Sequence, residues 1–235
     1  MGLPIQKAPS YNCMLPVSKK LVKYRPFLVK EQSFLLQAKE GDSTKEVFSA
    51  IKDLVTAVTD GTVDATKIPL ADLEYLFLQI RTKSIGETTT LNLVCNASEE
   101  CSGRTDIEIN LSEIEVDVES IQDDKIKIND TLMVELTPPT TEVIVKVEGL
   151  PEAETIKPIM RACLVRIYDE DNIFELSDYR DSEIDDFVES LTVEQFEMIS
   201  EYFQSVPALK HKVEWKCNLC GEQSILELQG LANFF

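Results

Sequence analysis

The stretch His211-Lys-Val-Glu-Trp-Lys-Cys217-Asn-Leu-Cys220-Gly221-Glu-Gln-Ser-Ile-Leu-Glu-Leu228 decides the fold of this chain. Two strand-like segments, His211–Lys216 and Ser224–Leu228, flank a Cys-x2-Cys knuckle, and Gly221 supplies the backbone freedom for a tight turn. A second region repeats the design. Thr90-Leu-Asn-Leu-Val94 and Thr105-Asp-Ile-Glu-Ile-Asn-Leu111 carry apolar residues at alternate positions on either side of Cys95-x5-Cys101. Each cysteine pair therefore sits at the bend of a predicted β-hairpin, and the two half-sites lie far apart in the chain.

Thiolates bind zinc best as a tetrahedral set, so Cys95, Cys101, Cys217 and Cys220 are expected to converge on one zinc ion with sulfur distances of about 2.3 Å. The Cys217–Cys220 spacing is the chelating one, and the five residues between Cys95 and Cys101 make a looser half-site. With every position held by a thiolate, such a site leaves no room for substrate or water and is structural, not catalytic. The competing reading is four buried free thiols, since cysteine packs as a small apolar residue. Disulfides fit less well: no secretory signal follows Met1-Gly2-Leu3-Pro4, and a reducing cytosol keeps thiols reduced. Of the two remaining cysteines, Cys163 lies in the apolar run Ile159–Ile167 and reads as core, while Cys13 is not placed.

The 235 residues are 43% hydrophobic, enough to bury a sizeable core as one domain or two closely packed lobes. No apolar run approaches the roughly 20 residues that cross a bilayer. Acidic side chains outnumber basic ones by 42 to 23, a formal net charge of -19. Such a surface repels phosphate backbones and anionic lipid headgroups, which argues against nucleic acid and membrane as partners. The acidity concentrates in Asp106–Asp130 and Asp169–Glu201, whereas Lys7, Lys19, Lys20, Lys23, Arg25 and Lys30 make the N-terminus basic.

Residues 1–86 read as an extended pair plus helices. Leu21–Tyr24 is a strand, Val29, Phe34, Leu35 and Leu36 are the apolar side of a short helix, and Ser43-x-x-Glu46 caps a longer one carrying Val47, Ile51, Leu54, Val55 and Val58. Asp60-Gly61 stops that helix. The next opens near Pro69 and buries Leu73, Leu76, Phe77 and Ile80. Residues 87–150 switch to a period of two, with the first knuckle, then Ile126/Ile128, Met133 and Val143/Val145/Val147 as strands. Residues 151–206 read as helical, over Glu152–Ile167 with Pro158 in the first turn or at a kink, over Ile184–Leu191, and from a Thr192-x-x-Gln195 capping box, with Leu191 and Phe196 as its staple, to Pro207. Residues 207–235 are the second knuckle hairpin and an apolar tail with Leu231, Phe234 and Phe235, read either as folding back under Phe196, Ile199 and Phe203 or as docking on a neighbouring subunit. The fold class is α+β, with antiparallel hairpins, helical segments and a zinc-ribbon-like four-cysteine site joining two hairpins.

Several segments carry more than pattern. Lys23-Tyr-Arg-Pro-Phe-Leu-Val-Lys-Glu31, Pro69-Leu-Ala-Asp-Leu-Glu-Tyr-Leu-Phe-Leu-Gln-Ile-Arg-Thr-Lys-Ser-Ile-Gly-Glu87 and the run from Phe187-Val-Glu-Ser-Leu-Thr192 through Cys217-Asn-Leu-Cys-Gly221 to Gly230-Leu-Ala-Asn-Phe-Phe235 resemble the baseplate hub proteins of T-even-type contractile-tailed bacteriophages. The resemblance covers nearly the whole chain. It implies a non-enzymatic structural or assembly subunit of the hub, assembled in the host cytoplasm, located in the virion tail baseplate and partnered by other phage tail proteins. It carries over no catalytic residue.

The residues themselves agree. No G-x-S-x-G, Walker or dinucleotide glycine pattern occurs among only eight glycines, and no small-molecule substrate is implied. The carboxylate groups Asp123-Asp124 and Asp169-Glu-Asp171 lack calcium-loop spacing and read as solvated loops; Asp185-Asp186 favours the positive end of a helix. The single histidine, His211, is a surface or core residue or a substitute zinc ligand. A second hypothesis, a zinc-ribbon adaptor of a nucleic-acid-processing complex, requires a basic face around the knuckle, where only Lys210, Lys212 and Lys216 stand.

Overall fold

The computed structural model describes residues 6–33, 44–96, 101–118 and 123–230. β1 (Tyr11–Met14) and β2 (Leu21–Tyr24) form a short antiparallel pair. Residues 29–33 form a helical turn whose buried member is not Val29, which is 84% exposed, but Glu31; Phe34, Leu35 and Leu36 lie outside the described residues. Arg25 explains the difference. Its Nη1 and Nη2 donate to the two Glu31 carboxylate oxygens at 2.9 and 2.7 Å, the Leu28 N–H donates to the same carboxylate at 2.6 Å, and Nη2 also reaches the Ala57 carbonyl. A bidentate, charge-assisted pair of this kind offsets the cost of burying a carboxylate, and the Arg25 bond holds the Glu31 carboxyl below its ordinary range.

α1 (Thr44–Val58) buries Ile51, Leu54, Val55 and Val58, the expected stripe, and its Ser43 cap lies outside the described residues. It stops at Asp60 and Gly61, both at positive φ (52° and 71°), where the Gly61 N–H takes the Thr56 carbonyl. α2 (Leu70–Ser84) buries Leu73, Leu76, Phe77 and Ile80 as its spacing predicts, but Asp72, Glu74, Arg81 and Thr82 are buried too. A helix buried on most of its circumference is a central one, and its carboxylates are occupied: Asp72 accepts the Val17 and Ser18 N–H groups at 2.8 and 2.9 Å, fixing the β1–β2 turn.

β3 (Thr88–Val94) and β4 (Arg104–Asn110) pair antiparallel with no slip in register. There follow β5 (Lys125–Lys127), β6 (Met133–Leu136), α3 (Thr141–Val147), α4 (Glu152–Cys163), β7 (Leu164–Tyr168), β8 (Ile173–Glu175), α5 (Asp181–Ser190), α6 (Val193–Ser205), β9 (Lys210–Lys216) and β10 (Gln223–Gln229). Two expectations fail here. Val143/Val145/Val147 belong to a helix, because the first-turn N–H groups of Thr141 and Glu142 are taken by the Ile68 and Thr66 carbonyls and Lys146 pairs with Glu142 one turn away at 2.7 Å. The helix read over Glu152–Ile167 ends at Cys163, because Leu164–Tyr168 is claimed by strands on both sides. Pro158 sits inside α4. The Thr192 capping box forms as read, its hydroxyl accepting the Gln195 N–H at 3.3 Å and the Gln195 side chain accepting the Thr192 N–H at 2.9 Å.

The chain divides into two compact units, Met1–Ala65 with Ala71–Asp117 and Ala208–Phe235, and Thr66–Leu70 with Val118–Pro207. In the second, a four-stranded antiparallel sheet of order β5-β6-β7-β8 shares one apolar core with α4, α5 and α6, in which Val134, Leu136, Leu164 and Ile167 meet Met160, Ile184, Val188, Ile199 and Tyr202. Across that sheet Arg166 bridges Glu135 at 3.0 Å and Glu175 at 2.5 Å, and the Tyr168 hydroxyl also bonds to Glu135. Cys163 is core, as read, and burial pushes its thiol up to about 12. Cys13, on β1, is also buried, and burial together with the Asp72 carboxylate pushes it up to about 11, so both thiols are inert at neutral pH.

Candidate metal centre

Cys95 follows directly on β3, and its N–H donates to the Gly103 carbonyl at 2.9 Å, closing the ladder of the first hairpin just before the knuckle. The second hairpin closes in the same way: the Cys217 N–H donates to the Glu222 carbonyl at 2.9 Å, and the Gly221 N–H returns to the Cys217 carbonyl at 3.0 Å with Gly221 at φ +78°. Only glycine holds that φ without strain. Two bends built alike thus present two thiols each.

The four thiols meet. Cys95 Sγ lies 3.7 Å from Cys220 Sγ and Cys101 Sγ lies 3.8 Å from Cys217 Sγ, and all four sulfurs fall within 4.8 Å of one another. A tetrahedron with metal–sulfur bonds of about 2.3 Å has edges of about 3.8 Å, which the Cys95–Cys220 and Cys101–Cys217 separations match. A disulfide, at about 2.05 Å, is excluded by the same distances, and all six cysteines are free. Cys95 and Cys217 are buried, Cys101 is half-buried and Cys220 is exposed, so the group sits at the surface end of the hairpins. Backbone N–H groups of Cys220 and Leu219 aimed at Cys217 bring its thiol down to about 6, the direction that favours the thiolate a soft metal requires.

Two residues that the sequence reading passed over shape the centre. A Cβ on Gly103 would stand 2.6 Å from Cys217 Sγ and 2.9 Å from the Leu219 Cβ, so only a residue without a side chain lets the second knuckle close on the first. Thr105, buried on β4, accepts the Asn218 N–H at 3.1 Å, a direct hydrogen bond between the two hairpins. The signal for the first was present in Ser102-Gly103 beside Cys101; nothing local marks Thr105. His211 pairs in register with Leu228, six residues or about 20 Å of strand from Cys217, and it is not a member of the four-sulfur group. Asp169 is a loop acid, as read, accepting the N–H groups of Asp171 and Asn172, and Asp185 pairs with Arg161 at 2.9 Å. The apolar tail lies outside the described residues. Among those described, no helix is long and apolar enough to cross a membrane.

An α+β chain whose two distant hairpins bring four thiols to one point defines a protein with a cross-chain cysteine centre of zinc-ribbon type. The T4 bacteriophage base plate protein family model matches residues 8–235, and the chain belongs to that family. Its class is therefore that of phage baseplate structural proteins, and the family implies a place in the virion tail baseplate. No curated protein and no solved structure matches it.

Proposed function

We propose that this chain is a non-enzymatic subunit of the tail baseplate hub or of its assembly, acting through protein–protein contacts, and that Cys95, Cys101, Cys217 and Cys220 hold one structural zinc ion. The observation that carries the metal reading is the meeting of four sulfurs from two hairpins within 4.8 Å of one another, two pairs of them at 3.7 and 3.8 Å. Bound there, zinc supplies a cross-link, since four thiolates fill its coordination shell and leave no position for a substrate. Gly103, Thr105 and the backbone N–H groups at Leu219 and Cys220 then hold the sulfurs in place and the Cys217 thiol deprotonated. The baseplate reading rests on family membership, and the acidic surface suits protein partners better than phosphate backbones; the hub itself is the narrower part of the proposal.

Phage bearing a nonsense codon in this gene test the assignment. Intact capsids with baseplates that stop short of a hub are expected, and complete baseplates made without the chain overturn it. Mass spectrometry of purified virions beside infected-cell lysate then separates a resident subunit from a departing assembly factor. The adaptor reading predicts micromolar, salt-sensitive binding to random duplex DNA; the present reading predicts none at physiological salt.

A further inference from the structure

We propose that the two cysteine hairpins form the walls of a slot for an extended, basic strand from another protein chain, paired between β3 and β10. The slot is a groove of about 540 Å³. It is lined by consecutive residues, Asn92, Leu93 and Val94 on one side and Ser224, Ile225 and Leu226 on the other. Side chains alternate between the faces of a strand, so a groove that touches every successive residue runs along strand edges, not across a face.

Among the described residues those edges are unpaired: there β3 bonds only to β4, and β10 only to β9. The bonds from Cys95 to Gly103 and from Leu111 to Glu87 fix the parity of the first ladder, so Leu91 and Leu93 point their backbone groups at β4 while Thr88, Thr90, Asn92 and Val94 point theirs away. The bonds from Cys217 to Glu222 and from Gly230 to Leu209 do the same for the second, leaving Gln223, Ile225 and Glu227 of β10 pointing away from β9.

The outer edges are guarded and the inner ones are not. Outward-pointing positions of β4 include Arg104, Asp106 and Glu108, and those of β9 are Lys210, Lys212, Glu214 and Lys216. Charges of this density are how proteins keep a strand edge from pairing. β3, in contrast, runs seven residues without a charge, a proline or a bulge, and on β10 only Glu227 is charged while Ile225 is 69% exposed. An edge this long and unguarded is one that another strand covers, with main-chain bonds giving affinity and the flanking side chains selectivity.

Charge selects the occupant. Glu222 is the charged residue lining the slot, Trp215 offers an apolar wall, and the chain carries -19 overall, so a strand alternating apolar and basic residues is favoured and a second copy of this acidic chain is repelled. This inference rests on the protein-contact reading above and adds the surface and the chemistry of the partner.

Amide hydrogen exchange on the full chain tests it, with an acetylated, amidated peptide of alternating valine and lysine as probe and its valine–glutamate counterpart as control. Exchange at Thr88, Thr90, Asn92, Val94, Ile225 and Glu227 is expected to slow by at least about tenfold with the lysine peptide and not with the control. Thr90→Lys, which leaves the backbone intact, and Asn92→Pro, which removes one outward donor, should each abolish that protection while the four thiols keep their resistance to alkylation. Protection elsewhere on the chain, or protection that survives both variants, is adhesion to an acidic surface and overturns the proposal. Concentration-dependent protection without any peptide assigns the slot to a second copy and overturns it as well. None of these readouts uses phage particles, so a failed slot and a failed baseplate role are told apart.

Discussion

β3, β4, β9 and β10 together bury four described side chains: Thr105 and Ile109 on β4, Val213 on β9 and Leu228 on β10, with none on β3. The sheet β5–β8, with no more strands, presses Val134, Leu136, Leu164 and Ile167 into a core shared with three helices. Isolated two-stranded ribbons are marginal in water, so a cross-link between the knuckles would stabilise the first set more than the second. The difference teaches where stability resides in each. With zinc bound as proposed, the hairpins would draw it from four sulfurs and a few bonds between knuckles; in the sheet it is spread over area.

That contrast can be broken most severely at the metal centre. Cys217→Ser, or removal of metal by a chelator, should release the hairpins, since structural zinc contributes on the order of 10 kcal/mol to small domains. Amide exchange should then rise across β3, β4, β9 and β10 and stay unchanged across β5–β8. The converse perturbation is Tyr202→Ala, which removes a fully buried ring packed edge-on against Phe203. A loss of about 3–5 kcal/mol is expected in denaturant unfolding, with metal content unaltered.

Glu31→Gln removes the charge from the buried pair with Arg25 and should cost about 2 kcal/mol at neutral pH. Its sign with pH follows from the depressed carboxyl. The stabilisation is fully present above the unfolded glutamate value of about 4.3 and disappears as pH falls through the lower folded value, so the difference between wild type and variant should shrink through that acid range. Gly103→Ala brings a methyl group against the Cys217 sulfur and should weaken metal affinity by about tenfold or more, measured by competition with a chromogenic chelator. Thr192→Ala, a lost cap on α6, should cost about 1 kcal/mol and leave the hairpins untouched.

The four-cysteine cluster was legible in the sequence because its thiols are spelled as spacings within two hairpins, and the stripe of α1 and the capping box of α6 were legible because both signals are local. What escaped depended on partners distant in the chain. Valines at alternate positions in 143–147 look like a strand until the carbonyls of Thr66 and Ile68 claim the first-turn amides. Leu164–Tyr168 continues a helical pattern until strands on both sides pair with it. Asp72 is given no role by the sequence, and its partners, the Val17 and Ser18 N–H groups, lie more than fifty residues away. Gly103 and Thr105 acquire their roles only when the second knuckle, more than a hundred residues later, closes on them.

Native mass spectrometry of the chain purified without chelator, combined with thiol alkylation of the intact protein, tests the central claim most directly. One zinc ion per chain is predicted, with Cys95, Cys101, Cys217 and Cys220 unreactive until the metal is removed and then modified together with the loss of hairpin protection. A folded, metal-free chain whose exposed Cys220 alkylates freely while β3 and β10 keep their amide protection would contradict it.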